Sequence, residues 1–283
     1  MSEEVIVSRT TQDYKSDLKP IWCPGCGDYG VVNSIFKAFA TLNVEPSSLV
    51  MVSGIGCSSR LPGFVASYGL HSVHGRTLPI ATGIKVARPD LRVIAVGGDG
   101  DGYSIGGGHL AHACRRNVDI TYIIMNNSIY GLTKGQVSPT SPTGFVTKST
   151  PEGSIEAPVN PLSMALVFGA TFVARGFSSK PNELAEILTK AMQHKGFAWI
   201  DVISPCQTFN KKDTVEYFKE HTTDIPEGHD VTNKLAAFAL VDSIDPLYLG
   251  ILYEIERPTF DDELQERAAQ KHSDLDTLFK RYA

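Results

Sequence analysis

Two short segments of this chain place oxygen ligands where a hard cation could use them: Val96-Gly97-Gly98-Asp99-Gly100-Asp101 and Ile124-Met125-Asn126-Asn127. Each closes an apolar run, so each is expected at the end of a buried strand. A carboxylate and an amide oxygen at two strand ends suit Mg²⁺, which binds oxygen and usually keeps phosphate oxygens in its shell. The small glycines let backbone come close to a phosphate. The chemistry indicated is a metal-bridged diphosphate.

The elements that must position these residues alternate in type. Leu49–Ser53, Val93–Val96, Thr121–Met125 and Ala198–Ile203 read as buried parallel strands, with helices over Val31–Leu42, Leu78–Ala87, Ile105–Arg116 and Asn182–His194. That order predicts an α/β fold with a parallel sheet flanked by helices. The unusual residues fall just past the strands: Gly54–Arg60, Gly97–Gly102, Asn126–Gln136 and Ser204–Cys206. Open α/β sheets bind ligands at that edge.

Residues Thr133–Pro161 are rich in Ser, Thr, Pro and Gly and read as one long functional loop. Residues 1–210 are expected to form the site-bearing domain. Residues 211–283 are expected to form a C-terminal extension packing on that domain or on a partner subunit, with an amphipathic helix over Asp261–Arg281.

Composition narrows the function classes. The chain has 283 residues, 42% hydrophobic and 20% charged, as ordinary globular proteins do. A net charge of −5 offers no electrostatic footprint for nucleic acid. No apolar run approaches the roughly 18 residues of a membrane span. Met1-Ser2-Glu3-Glu4 is acidic and lacks an apolar stretch, so the cytoplasm is expected.

A dinucleotide site is the rival reading of the glycines. Gly98, Gly100 and Gly102 match its pattern loosely. It also needs an acidic residue after the next strand. Asp119 stands before that strand, and Asn126 and Asn127 occupy the place after it. Asp99 would repel a pyrophosphate unless a cation bridged them.

The five cysteines supply a second chemistry. An odd count argues against a disulfide framework. Cys23 and Cys26 are joined by Pro-Gly, which turns the chain so that both sulfurs can face one centre, and Cys57 and Cys206 each lie at a strand edge. Four such thiolates suit zinc or an iron–sulfur cluster equally on geometry. Cys114, within a helical stretch, reads as a small buried hydrophobe.

Taken in order, Trp22-Cys23-Pro24-Gly25-Cys26-Gly27, Gly54-Ile55-Gly56-Cys57-Ser58-Ser59, His74-Gly75-Arg76, Gly98-Asp99-Gly100-Asp101, Asn126–Gln136 and Ser204-Pro205-Cys206 resemble the β subunit of 2-oxoacid:ferredoxin oxidoreductases. The resemblance spans Cys23–Cys206 and implies a thiamine diphosphate-binding domain of the PP type. Asp99, the Asn127 side chain and the Ile129 carbonyl would then ligate Mg²⁺. Ile55, Gly56, Cys57, Ser58, His74, Gly100, Asp101, Gly131 and Leu132 would line thiamine diphosphate. Cys23, Cys26, Cys57 and Cys206 would hold a 4Fe–4S cluster, since oxidative decarboxylation without flavin or lipoamide needs a one-electron acceptor and zinc has no redox chemistry.

By the same resemblance Arg60 faces a substrate carboxylate and Lys134 contributes to coenzyme A binding, with Arg76 a weaker candidate for substrate. The activity implied is coenzyme A-dependent oxidative decarboxylation of 2-oxoglutarate to succinyl-CoA and CO₂. Electrons would pass to ferredoxin, and the reaction could reverse as reductive carboxylation. Pyruvate is the alternative substrate, and a non-redox thiamine carboligase the alternative class. No second domain fits in the chain to activate the aminopyrimidine, so an α subunit is expected, in an αβ heterodimer or (αβ)₂ heterotetramer.

Overall fold

The computed structural model describes residues 8–270 and 275–282. The acidic Met1–Glu4 stretch lies outside these residues. The elements in chain order are α1 (Asp28–Leu42), β1 (Leu49–Ser53), β2 (Tyr68–His71), α2 (Thr77–Ala87), β3 (Arg92–Gly98), α3 (Gly107–Arg116), β4 (Ile120–Asn126) and α4 (Pro161–Phe168). There follow β5 (Phe172–Phe177), α5 (Pro181–Gln193), β6 (Phe197–Ile203), α6 (Val215–Glu220), β7 (Thr222–Asp224), α7 (Lys234–Val241), β8 (Leu247–Glu254), α8 (Phe260–Gln270) and α9 (Leu275–Tyr282).

The strands form one sheet of order β2-β1-β3-β4-β6-β5-β8-β7. Pairing is parallel from β2 to β5, and β8 runs antiparallel to β5. Helices cover both faces, so side chains alternate between two cores. Leu49, Met51, Ile94 and Val96 pack with Ile35 and Phe39 of α1 and Leu188 of α5. Val50, Val52, Val93 and Ala95 pack on the other face with Leu78 of α2, Leu110 of α3 and Leu166 of α4. Burying such a side chain contributes about 1.5–3 kcal/mol, which makes this central sheet a rigid base for the loops at its edge.

The four strands read from apolar runs are β1, β3, β4 and β6, and the four helices are α1, α2, α3 and α5. The helix expected from Ile105 begins instead at Gly107. Before it, Gly100–Ile105 forms one wide turn in which the Gly106 N–H reaches the Asp101 carbonyl, five residues back, at 3.2 Å. Such wide turns recur at functional sites. The segment from Asn127 to the Asn160 cap of α4 holds no helix and only one isolated bridge, Tyr130 to Gln136, among the described residues.

Residues past 210 join the same sheet, because β8 pairs with β5 and β7 pairs with β8. The single helix expected over Asp261–Arg281 is described as α8 and α9, with 271–274 outside the described residues. Among the described residues no helix is long and apolar enough to cross a membrane.

Candidate functional site

The chain leaves β1 for the outer strand β2 and then crosses back to β3, so a crevice opens between β1 and β3 at the carboxyl edge. A cavity of about 560 Å³ lies there, walled by the loops after β1, β3 and β4. Pairing of Gly98 with Met125 sets Asp99 beside the Asn126-Asn127 end of β4. Asp99 is 1% exposed. It accepts hydrogen bonds from Ser138 Oγ and from Thr140 Oγ1, the latter at 2.7 Å. Burial pushes its carboxyl up to about 6 against the pull of these bonds and of the Asn127 N–H. It has no salt-bridge partner among the described residues, so its charge calls for a cation from outside the chain.

Asn127 and Ile129 line the same cavity. The Asn127 side-chain oxygen accepts the Ile129 N–H at 3.1 Å and retains a second lone pair. Between them Ser128 takes φ +56, a left-handed reversal that bends the chain around Asn127. Behind this bend, Asp201 accepts from Tyr103 OH at 2.7 Å and from Asn126 Nδ2 at 3.2 Å, bracing the strand end from below. Asp99, Asn127 and Ile129 therefore fit a small oxygen-seeking cation.

Asp101 does different work. It is 2% exposed and accepts from the Ile55 N–H (2.9 Å), the Gly75 N–H (2.8 Å) and His74 Nδ1 (2.8 Å). One carboxylate thus ties together the loop after β1, the turn before α2 and the wide turn after β3. A Cβ at Gly54 would collide with this carboxylate, and one at Gly100 would collide with the Tyr130 ring. The Tyr130 hydroxyl donates to the Gly100 carbonyl at 3.0 Å, closing the loop after β4 over the diphosphate-sized space.

The thiols converge on the same loops. A Cβ on Gly131 would sit 3.6 Å from Cys206 Sγ and 3.7 Å from Cys57 Sγ. The Cys26 N–H closes on the Cys23 carbonyl at 3.1 Å, and the Gly27 N–H reaches the Pro205 carbonyl at 3.2 Å. These bonds join the Cys-Pro-Gly-Cys turn to Ser204-Pro205-Cys206. Burial, then Asp28, then Cys206 and Cys57 push the Cys26 thiol far up. Burial, Asp28, Cys206 and Cys23 push the Cys57 thiol up to about 11. Cys26 and Cys57 thus each feel other thiols of the set. Among the described residues no three His, Cys, Asp or Glu side chains close on a single point as one metal ion requires. Cys114 is fully buried in α3, away from this group.

Comparison with known proteins agrees with this geometry. Residues 54–202 match the family described as thiamine pyrophosphate enzyme, C-terminal TPP binding domain. Residues 206–269 match the family that describes the C-terminal part of the pyruvate ferredoxin oxidoreductase beta subunit. The 2-oxoacid:ferredoxin oxidoreductase 2 subunit beta of Aeropyrum pernix is 40% identical over 92% of this chain and 88% of its own. The chain belongs to the 2-oxoacid:ferredoxin oxidoreductase β subunits. The 2-oxoglutarate oxidoreductase subunit KorB of Mycobacterium tuberculosis is 52% identical over 70% of this chain, an alignment that spans only 53% of that relative. A 2-oxoglutarate:ferredoxin oxidoreductase from Magnetococcus marinus, solved with 2-oxoglutarate, coenzyme A and succinyl-CoA bound, superposes with a TM-score of 0.94. It is 44% identical, with 99% of this chain and 98% of that chain covered.

Within this β subunit the candidate residues separate into groups. Ile55, Gly56, Cys57, Ser58, His74 and Gly100 share one cavity wall with Asp101, Gly131 and Leu132. Arg60 opens instead on an adjoining cavity of about 570 Å³, with Lys19 and His71, which shares Ile55, Gly56 and Leu132 with the first. Lys134 is exposed at φ +74 on the loop tip and lines neither cavity. Arg76 Nη1 lies 3.1 Å from His109 Nε2, outside both. Asp119, the residue a dinucleotide site would have needed, pairs with Lys85 at 2.9 Å in front of β4. Sequence reasoning missed Ser138 and Thr140 on Asp99, Tyr130 over Gly100 and Asp28 beside the thiols. Only Asp28 carried a local signal, since it directly follows the Cys-Pro-Gly-Cys-Gly run.

Proposed function

We propose that this chain is the cofactor-bearing β subunit of a coenzyme A-acylating 2-oxoglutarate:ferredoxin oxidoreductase. The reaction removes CO₂ and two electrons from 2-oxoglutarate and yields succinyl-CoA. The observation that carries the reading is the shared wall between the two sites: Cys57 and Gly131 line the cavity that holds Asp99 and Asn127, and Gly131 also lies against the Cys57 and Cys206 sulfurs. A carbon-cleaving site and a one-electron relay have reason to be that close.

Thiamine diphosphate, when bound, supplies the electron sink for the carbon that loses CO₂. Asp99, Asn127 and Ile129 hold Mg²⁺ against its diphosphate. Asp101 fixes the loops and His74 around it. Cys23, Cys26, Cys57 and Cys206 hold a 4Fe–4S cluster, because oxidative decarboxylation without flavin or lipoamide needs a one-electron acceptor and zinc has no redox chemistry. Free thiols and a cluster belong to a reducing compartment, which supports the cytoplasm.

Arg60, with Lys19 in the same cavity, gives the substrate side a cationic lining suited to a dicarboxylate. Lys134, at the exposed loop tip, is placed to meet coenzyme A arriving from solvent. The cavity mouth is where the α subunit packs, because Ile55 and Leu132 line the cavity as exposed apolar side chains of the kind a permanent partner buries. Ferredoxin docks outside the thiol site, where Cys23 is exposed.

The deciding experiment is viologen or ferredoxin reduction by the purified αβ complex with coenzyme A and each oxoacid, alongside iron and thiamine diphosphate content. A higher kcat/KM for 2-oxoglutarate than for pyruvate is expected. Preference for pyruvate overturns the substrate, and absence of thiamine diphosphate overturns the whole reading.

A further inference from the structure

Three buried side-chain oxygens among the described residues lack a hydrogen-bond partner: Ser59 Oγ, Ser178 Oγ and Asp28 Oδ2. A serine hydroxyl left bare is a small matter. A carboxylate oxygen is not, because an unsatisfied buried polar group costs about 1–3 kcal/mol and more when it is charged. Asp28 is 1% exposed at the first turn of α1. Among the described residues it has no ion-pair partner.

Its surroundings are the thiol site. Oδ1 accepts from Ser204 Oγ at 2.8 Å, two residues before Cys206. Burial pushes the carboxyl up to about 6, against the pull of Ser204 and of the Cys26 thiol and with a further push from the like charge of Asp99. Asp28 is also the charged group that acts most strongly on both Cys26 and Cys57. The cation acting on Cys57 in the opposite sense is Arg60, which is exposed and correspondingly screened. A first-turn acid is favoured by the helix dipole at any helix start. That accounts for an acid at this position, but not for burying it without a donor on one oxygen.

We propose that Asp28 sets the reduction potential of the cluster, lowering it by placing a buried negative charge beside the cysteines that hold it. The proposal rests on the cluster reading of Cys23, Cys26, Cys57 and Cys206. Adding an electron to a centre beside a fixed negative charge is opposed by Coulomb repulsion, which weakens little across a desolvated gap. Net charge, hydrogen bonding and exposure are the means by which a protein tunes such a cluster. A lower potential makes the centre a stronger donor to the external acceptor. Asp28 touches neither substrate nor thiamine diphosphate, so it is a positioning residue and its readout is a potential.

The test is an EPR-monitored redox titration of the anaerobically purified αβ complex at pH 8, parent against Asp28→Asn. Asparagine keeps the shape and an acceptor for Ser204 while removing the charge. The expected result is full iron content and a midpoint potential raised by at least tenfold in the one-electron reduction equilibrium, about 59 mV. Full iron with an unmoved or lowered potential overturns the proposal. Should Asp28→Asn lose its iron, Asp28→Ser carries the test: it removes the charge and leaves a hydroxyl to meet Ser204, so the potential should rise. A potential unchanged or lowered in Asp28→Ser then overturns the proposal. Absence of iron from the parent complex would refute the cluster reading itself, which separates the two failures.

Discussion

His74 Nδ1 donates to Asp101 Oδ1 at 2.8 Å, which fixes the ring and leaves Nε2 as the nitrogen available to the cofactor cavity. A carboxylate partner on one nitrogen sets the tautomer and orientation of the other. Asp101 also holds the Ile55 and Gly75 N–H groups, so one side chain governs both walls of the diphosphate space. Asp101→Asn should therefore lower Tm by about 4–8 °C, for a loss near 2 kcal/mol in a chain of this size. It should also release thiamine diphosphate on gel filtration. His74→Gln should release the cofactor with little change in Tm. Parental Tm and cofactor content in Asp101→Asn would refute this assignment.

As a ligand of the proposed Mg²⁺, Asp99 should make cofactor binding depend on pH. Its carboxyl is raised to about 6 from an ordinary 3.8, so without a cation the folded state binds the proton more tightly than the unfolded state does. That contribution to stability is fully present below pH 4 and is lost as pH rises through 6. Mg²⁺ needs the ionised form, so the gain in Tm from Mg²⁺ plus thiamine diphosphate should grow from pH 5 to pH 7. In Asp99→Asn the growth should shrink to what the diphosphate's own titration supplies. Equal pH dependence in parent and variant would count against Asp99 as a ligand.

Serine in place of Cys23, Cys26, Cys57 or Cys206 should each cost most of the iron. Cys114→Ser should keep all of it, although burying a hydroxyl at this fully buried position should destabilise α3 by about 1–3 kcal/mol. Iron and sulfide analysis of the five purified complexes decides the matter. Full iron in Cys206→Ser would break the four-thiol set.

Arg60 should act on substrate binding and leave cofactor content alone, because it lines the adjoining cavity. Arg60→Leu is expected to raise KM for 2-oxoglutarate at least tenfold, and Arg60→Lys to recover part of it, since a lysine lacks the planar fork. Steady-state kinetics at saturating coenzyme A reads both. A changed kcat at constant KM would place Arg60 elsewhere in the reaction.

The parts legible in the sequence were those with a strong local pattern. β1 coincides with the apolar run Leu49–Ser53, and β3, β4 and β6 extend their runs by one to three residues. β2 escaped notice because all four of its residues are exposed on the sheet edge, with no buried face to leave a periodicity. β5 is wholly buried, yet Arg175 and Gly176 interrupt its apolar run. β8 carries Gly250 at φ +134 and lies beyond the region where strands alternate with helices. Asp99, Asn127 and the cysteines stood out because glycines and strand ends frame them. Ser138 and Thr140 did not, because two hydroxyls in a Ser/Thr-rich loop acquire meaning only when the loop folds back onto β3.

The bond between Asp28 and Ser204 spans 176 residues. A ribosome adding 5–20 residues per second takes about 10–35 s to cover that interval. For most of it, the first two cysteines are outside the ribosome while the last does not yet exist. The proposed four-thiol centre could be completed only after β6 has been made and docked. Its assembly would therefore follow the synthesis of β6, and until then the thiols of a newly made chain would be open to oxidation or to the wrong metal.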